Sequence, residues 1–253
     1  MPDTLVILAF EASADQATAA VIMSGGRRAM HHHQARHGHA AVITGLAEAA
    51  LQDCGLEARA ITHVAAGCGP GSFTGIRVAL SAAKGFQLAC DAQPVGLSCM
   101  LVAAANWRNA HDANWRNAHD ANGRNVHDAN WRNVHDEDGL LVASADTRRG
   151  SYFCQAFGPD NAPIGAILDI DPQAVAAGET DLPDAWHGAR IIGPGAAPLA
   201  AVCGGRLVAN DDAAPVDAMQ IAQLASIMIA DEVALPPLQP LYVVPAFLGP
   251  PRG

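Results

Sequence analysis

The stretch that decides the fold is GCGPGSFTGIRVALSAAKG, residues 67–85. Its first nine positions hold four glycines, a proline, a serine and a threonine. Fixing glycine in one conformation costs more backbone entropy than fixing any other residue, so such a run requires a physical reason. The pattern predicts a short strand at 61–66 before the run and a helix at 74–90 after it. The run between them holds a phosphate, shapes a nucleophile, or brings two backbones together.

The spacing within this glycine turn matches no standard phosphate or nucleophile motif. It lacks GxxxxGK[ST], and Lys84 lies about three turns into the predicted helix, too far to reach a phosphate at the turn. It also lacks GxGxxG, and Gly69-Pro-Gly-Ser72 is not the GxSxG elbow of a hydrolase. A structural role, with Ser72 or Thr74 capping the helix, is favoured over an anion site at the helix start, which stays open as an alternative.

Composition narrows the class of protein. The chain has 253 residues, half of them apolar, and a net charge of −10, which argues against a surface dedicated to nucleic acid. Its six cysteines form no CxxC pair, and no apolar run reaches the roughly 18 residues that a membrane span requires. We therefore expect an acidic cytoplasmic protein with reduced thiols and no membrane association.

The two halves of the chain open in the same way. An apolar strand at 5–10 ends at Glu11-Ala-Ser13 and returns through a second strand at 17–23. A second apolar strand at 140–145 ends at Asp146 and returns through 151–157. A strand after 190 also runs into a second Gly-Pro-Gly turn, at 193–195. This parallel predicts an internal duplication into two lobes.

The predicted domain boundaries follow from that duplication. The first lobe spans 1–105 and is joined by a C-terminal amphipathic helix at 215–234, the second lobe spans 139–214, and 235–253 forms a proline-rich extended tail. Residues 106–138 are an insertion that repeats eight residues four times: NWRNAHDA, NWRNAHDA, NGRNVHDA, NWRNVHDE. Neither a helix nor a strand of this repeat closes a core, so we expect a mobile surface connection.

Two functional interpretations of polar clusters are weaker than their structural alternatives. The tryptophans and arginines of the repeat could stack on RNA bases, but its four arginines face six acids, a net charge of −2. His33 and His37 would share one face of a helix and could bind a metal, yet no third ligand is evident. A solvated turn before a helix at 40–54 is favoured there, and no metal site is predicted.

Several segments together resemble the TsaB (YeaZ) family of tRNA threonylcarbamoyladenosine synthesis. ILAFEAS at 7–13 is similar to the family's ILAIDTS, GPGSFTG at 69–75 lies in a match to GRGPGSFTGLRIG, and ASADTRRGSYF at 143–153 is similar to IDARRGEVY. RHGHA at 36–40 is a further, supporting match. The chain departs from the family at Glu11, where aspartate is usual, and at Tyr242-Val-Val244, where Tyr-Leu-Arg is common.

The resemblance implies an α/β fold of the actin-like and sugar-kinase-like (ribonuclease H-like) type, with two duplicated lobes of central mixed sheets and flanking helices. It implies a non-catalytic scaffold that binds the catalytic paralogue TsaD, which transfers threonylcarbamoyl to adenosine 37 of tRNA. The ATPase TsaE joins the complex, tRNA contacts it only through the complex, and a homodimer through the same helices is an alternative. No cofactor is expected on this chain, with ATP and Mg²⁺ only at interfaces between subunits.

The same resemblance places the TsaD contact on the two first-lobe helices, about 40–54 and 74–90. Alanines and Gly85 keep the second helix thin, so that another helix can approach it. The predicted partner-binding residues are Ile43, Leu46, Ala47, Ala50, Gly69, Gly71, Ser72, Phe73, Thr74, Gly75, Arg77, Ala79, Ala82, Ala83 and Phe86. No catalytic residue is predicted.

A rival interpretation makes the chain an enzyme in its own right. Actin-like and sugar-kinase-like ATPases place Mg²⁺-phosphate acids at strand ends such as Glu11 and Asp146. With Ser13, these residues would line a degenerate nucleotide cleft between the lobes, serving an ATP-dependent phosphotransferase or a peptidase. Arg148-Arg149 stands where such folds place glycines, and structural strand-end acids are favoured.

Overall fold

The computed structural model describes residues 4–34, 38–111, 139–210 and 215–243. The strands are β1 Val6–Glu11, β2 Gln16–Met23, β3 Arg28–Gln34, β4 His63–Gly67, β5 Gln93–Leu97, β6 Leu141–Asp146, β7 Tyr152–Phe157, β8 Pro163–Ile170, β9 Ala189–Ile192 and β10 Leu207–Asn210. The helices are α1 His39–Asp53, α2 Phe73–Cys90, α3 Cys99–His111, α4 Pro172–Ala176, α5 Ala196–Val202 and α6 Ala218–Ala230. Single 3₁₀ turns lie at Ala58–Ala60 and Asp184–Trp186.

The strands form two five-stranded sheets with the same topology. The first lobe has the order β3-β2-β1-β4-β5 and the second has β8-β7-β6-β9-β10. In each sheet the first three strands of the lobe pair antiparallel in chain order, the fourth pairs in parallel with the first, and the fifth pairs in parallel with the fourth. The repeated order is the duplicated, two-lobed arrangement of actin-like proteins, so the predicted fold class is confirmed.

Strand β1 carries the core of the first lobe on both of its faces. All six of its residues are buried, as the continuous apolar run predicts. Leu8 and Phe10 pack with α1 and α2 on one face, while Ile7 and Ala9 pack with α3 and α6 on the other. The alternation follows from the two-residue period of a strand, and it fixes α1 and α2 as one layer over the sheet.

Helix α3 enters the predicted insertion and corrects its boundary. Residues 106–111, the start of the first octapeptide, continue the helix, and Trp107 and Arg108 are buried there. The expectation that no part of the repeat closes a core is therefore wrong for this copy, because the helix carries its indole into an apolar cluster with β6, β7 and β9. The remaining copies lie outside the described residues.

Strands β3, β8 and β10 lack a clear apolar alternation and were not predicted. Strand β3 contains His31, His32 and His33, so the predicted solvated turn is wrong, because the turn at 24–27 folds this segment back onto β2. His33 does not lie on a helix, and His37 lies outside the described residues. Across 4–34, 38–111, 139–210 and 215–243, no group of three metal-binding side chains occurs, and no helix is both long and apolar enough to cross a bilayer.

The described part of the tail is bound to the first lobe. Leu238 is buried in the α1–α2 core, and the Leu241 N–H donates to the Cys68 carbonyl oxygen at 2.8 Å. The Gly96 N–H donates to the Pro236 carbonyl oxygen at 2.8 Å, so the tail covers the outer edge of β5. The tail thereby forms one wall around the glycine turn.

Candidate functional site

The glycine turn lies between the end of β1 and the C-terminal tail. A Cβ on Gly75 would collide with the Ala12 carbonyl oxygen, and one on Gly71 would lie 2.7 Å from the Cβ of Ser13. The Ser72 N–H donates to the Ser13 carbonyl oxygen at 2.9 Å. The glycines are therefore required because two backbones meet at this point, which is the structural interpretation favoured from the sequence.

Three amides of the glycine turn donate to groups within the chain. Besides the Ser72 amide, the Gly75 N–H donates to the Ser72 side-chain oxygen at 3.3 Å, which makes Ser72 the helix cap. The Cys68 N–H donates to the Leu97 carbonyl oxygen at 2.8 Å. An anion site at a helix start requires such N–H groups to face the ligand, so this bonding weighs against the phosphate alternative.

Glu11 occupies the space beside the first glycine of the turn. Its side chain is only 1% exposed, and its Oε1 accepts a hydrogen bond from the Ser13 N–H at 2.5 Å. The Cys99 thiol donates to Oε2 at 3.3 Å, and a Cβ on Gly67 would collide with that oxygen. Burial raises the pKa of the Glu11 carboxyl, although the hydrogen bonds from Ser13 and Cys99 oppose the shift. With both oxygens bonded inside the lobe, this carboxyl is poorly placed to bind Mg²⁺, which requires accessible carboxylate oxygens.

Asp146, the second predicted cleft acid, has a different environment. It is half-buried at the end of β6, and its Oδ1 accepts a hydrogen bond from the Arg148 N–H at 2.7 Å. The Arg148 guanidinium also donates to the Asp15 carboxylate of the first lobe at 3.0 Å. Glu11 is therefore hydrogen-bonded to Ser13 within its own lobe. Asp146 instead pairs with Arg148, an arginine that bridges the two lobes.

The predicted partner-binding residues divide into a buried and an accessible group. The side chains or backbones buried within the lobe are Ile43, Ala47, Ala50, Gly69, Gly75, Ala79 and Ala83. Those that are half-buried or exposed are Leu46, Gly71, Ser72, Phe73, Thr74, Arg77, Ala82 and Phe86. The first group is corrected: its members cannot line a docking surface, because the apolar stripe of each helix faces its own sheet.

The accessible group forms, together with Gly45, Gly85 and Leu88 on the same helices, what we call the α1–α2 surface. Leu46, Ala82 and Phe86 are half-buried against the core, whereas Leu88 is 83% exposed. A Cβ on Gly45 or Gly85 would meet nothing within 4 Å, so both helices present bare backbone to the outside. Sequence reasoning missed Leu88, whose signal is an apolar side chain that falls off the buried stripe of α2.

An aromatic and cationic cluster marks the first turns of α2. Phe73 is 42% exposed, and the Arg77 guanidinium carbon lies 3.7 Å from the centre of its ring. The Arg77 Nε–H donates to the Tyr242 hydroxyl oxygen at 3.1 Å, and the two aromatic rings lie 5.5 Å apart. The tail thus adds Tyr242 to the α1–α2 surface, a contribution that separation along the chain hides from sequence analysis. Val244 lies outside the described residues.

Comparison with known proteins extends this picture. Residues 30–115 match the family model described as TsaD, tRNA N6-adenosine threonylcarbamoyltransferase. YeaZ from Pseudomonas aeruginosa superposes with a TM-score of 0.65 at 18% identity, over 94% of this chain and 99% of that one. A structure described as an uncharacterized protein with similarity to peptidase YEAZ, from Pseudomonas aeruginosa, gives 0.68 at 20% identity, over 95% and 100%. No curated protein matches significantly.

These findings confirm the resemblance to TsaB (YeaZ) proteins. The chain has the YeaZ fold over nearly its full length, and within that fold it carries a segment of TsaD type. That segment contains α1 and α2, the two helices that form the accessible surface described above.

Proposed function

We propose that the chain is a non-catalytic scaffold in the bacterial synthesis of N6-threonylcarbamoyladenosine at position 37 of tRNA. It docks the catalytic paralogue TsaD through the α1–α2 surface and holds it in a stable heterodimer. The ATPase TsaE and the tRNA join through that complex, and ATP with Mg²⁺ belongs to the interface between subunits.

The position of the TsaD-type segment supports this pairing. Because residues 30–115 match the TsaD family model, the paralogue is expected to carry its own counterparts of α1 and α2. Two related helix pairs can pack by presenting equivalent faces to each other, as subunits do across a pseudo-two-fold axis. Small residues on the approaching faces, here Gly45 and Gly85, let helices come close together.

One observation carries the proposal: among the described residues, most of the exposed large apolar side chains lie on α2 or on the tail beside it. Seven large apolar side chains are exposed in the described residues, and four of them lie on α2 or in the segment beside its first turn: Phe73, Leu88, Leu241 and Tyr242. Exposed apolar groups that cluster on one side of a domain mark sites of protein association.

Gly85→Arg tests the docking surface without threatening the fold. The glycine is exposed with open space in front of it, and replacing a helical glycine favours the helix. A long cation there would keep the partner's helix away, so we expect the Kd for TsaD to rise at least tenfold in calorimetry. The matched control is Val208→Arg, at an exposed apolar position of the second lobe. Wild-type affinity in Gly85→Arg would contradict the proposal.

We also propose that the chain performs no chemistry of its own. The bonding of Glu11 to Ser13 and Cys99 supports this, because those contacts leave the carboxyl little access to a nucleotide. Titration of the isolated chain with Mg-ATP is expected to give no binding heat. Tight binding that disappears in Glu11→Ala would instead favour the phosphotransferase.

A further inference from the structure

The first octapeptide is anchored between the two lobes by its tryptophan. Trp107 is only 4% exposed and belongs to one apolar cluster with residues of α3 and the second-lobe sheet: Met100, Ala104, Leu141, Ala143, Phe153, Phe157 and Ile192. Its ring stacks on the His111 ring at 4.3 Å with an interplanar angle of 18°. The guanidinium carbon of Arg190, which lies on β9, is 5.7 Å from the indole centre. The indole is therefore held by apolar packing, by the His111 ring on α3 and by the Arg190 guanidinium on β9.

The arginine of the same octapeptide is fixed beside it. Arg108 is 1% exposed, and its guanidinium donates to the carbonyl oxygens of Phe157 at 3.3 Å and of Gly139 at 3.4 Å. A buried guanidinium requires such acceptors, because its desolvation is costly otherwise. The apolar cluster and the two carbonyl groups together form what we call the octapeptide socket.

The four copies differ in whether they carry the tryptophan that fills the socket. Each copy has the arginine and the histidine, but tryptophan occurs at 107, 115 and 131, and the third copy has Gly123 in its place. Helix α3 runs without a break from buried Ala104 and Ala105 into the first copy. The register of the socket is therefore set by the distance from Ala105.

We propose that the socket is a binding site for a single Trp-Arg-Asn-x-His octapeptide, filled by whichever copy directly follows Ala105. The other copies are dispensable for the fold. Changes in the number of copies are then tolerated when the copy that follows Ala105 carries tryptophan, and destabilising when it carries glycine.

Two deletions of equal length test this. Removing 106–121 places the third copy after Ala105, whereas removing 114–129 keeps the first copy there, and both proteins retain the fourth copy. The products differ only at 107, Gly against Trp, and at 110, Val against Ala, where the natural alanine is exposed. We expect the 114–129 deletion to melt within a few degrees of the full chain, and the 106–121 deletion to lose about 10 °C in Tm.

Single substitutions in the full chain provide an independent measurement that does not change its length. Trp107→Phe is expected to lower the Tm by a few degrees and Trp107→Ala by about 10 °C, whereas Trp115→Ala leaves it unchanged. Equal melting temperatures of the two deletion proteins would overturn the proposal. So would a full loss of stability in the 114–129 deletion, because that result would make the later copies part of the fold.

Discussion

The Gly-Pro-Gly turns of the two lobes, at 69–71 and 193–195, occupy the same place in the duplicated fold. Each follows the strand that pairs in parallel with the lobe's first strand, and each leads into a helix. Each also packs on that first strand or on the residues just after it. A Cβ on Gly71 would lie 2.7 Å from Ser13, and one on Gly195 would lie 3.0 Å from the Cβ of Ser144.

The two turns differ in what surrounds and follows them. In the second lobe the Ser144 hydroxyl accepts the Gly195 N–H at 2.8 Å and donates to the Ile192 carbonyl oxygen at 2.6 Å. The helix that follows, α5, has seven residues, whereas α2 after the first turn has 18 and carries the exposed apolar side chains Phe73 and Leu88. The turn is thus a shared structural feature, and the two lobes differ in the length of the helix that it starts.

The largest effect is expected from adding a methyl group to the first residues of α2, where the helix follows the first turn. Gly75→Ala directs its Cβ into the Ala12 carbonyl oxygen, a backbone atom that cannot rotate away, and we expect a loss of about 3 kcal/mol in the free energy of unfolding. Gly195→Ala meets the Tyr152 ring and the Ser144 side chain at 2.9 and 3.0 Å, which can shift, so its loss is expected near 1 kcal/mol. Urea denaturation measures both.

Gly85→Ala is the control on the same helix as Gly75. Its Cβ enters open space, so we expect a gain of up to about 1 kcal/mol from helix propensity alone. If Gly75→Ala were as harmless as Gly85→Ala, the close approach of α2 to the residues after β1 would not exist.

A smaller effect separates the two strand-end acids. Because burial raises the pKa of Glu11 in the folded chain, this group stabilises the fold fully below its unfolded pKa. Above that value the unfolded chain releases the proton first, so stability falls by up to about 1.4 kcal/mol per pH unit until the folded pKa is reached. Glu11→Gln should remove this slope, since its side chain does not titrate.

The matched variant is Asp146→Asn, at the half-buried acid of the second lobe. We expect its free energy of unfolding to keep the fall with rising pH that the wild type shows, because Glu11 is still present in this variant. A Glu11→Gln curve parallel to that of the wild type would show that the Glu11 carboxyl is not buried in solution.

Local patterns were sufficient for most of the first lobe. The apolar run of β1, the stripe of α1 and the glycine turn before α2 each predict their element, because burial on two faces, helical period and turn chemistry act over short distances. Strands β3, β8 and β10 were missed, since edge strands have one or both faces in solvent and owe their pairing to partners distant in sequence.

The candidate site was harder to predict for a related physical reason. An apolar stripe such as Ile43, Ala47 and Ala50 has the same sequence pattern whether it packs on its own sheet or on a partner. Leu88 and Tyr242 break their local patterns, but only the three-dimensional placement joins Tyr242 to Phe73. The burial of Trp107 depends on second-lobe residues, which no local periodicity can reveal.

Hydroxyl-radical footprinting of the chain with and without TsaD tests the central claim most directly, because it measures the solvent exposure of individual side chains in both lobes. The account predicts that complex formation protects Phe73, Leu88 and Tyr242, and leaves Ile164 and Val208 of the second lobe as reactive as before. Protection confined to Ile164 and Val208, or no protection at Phe73 and Leu88 in a complex of the expected mass, would contradict it.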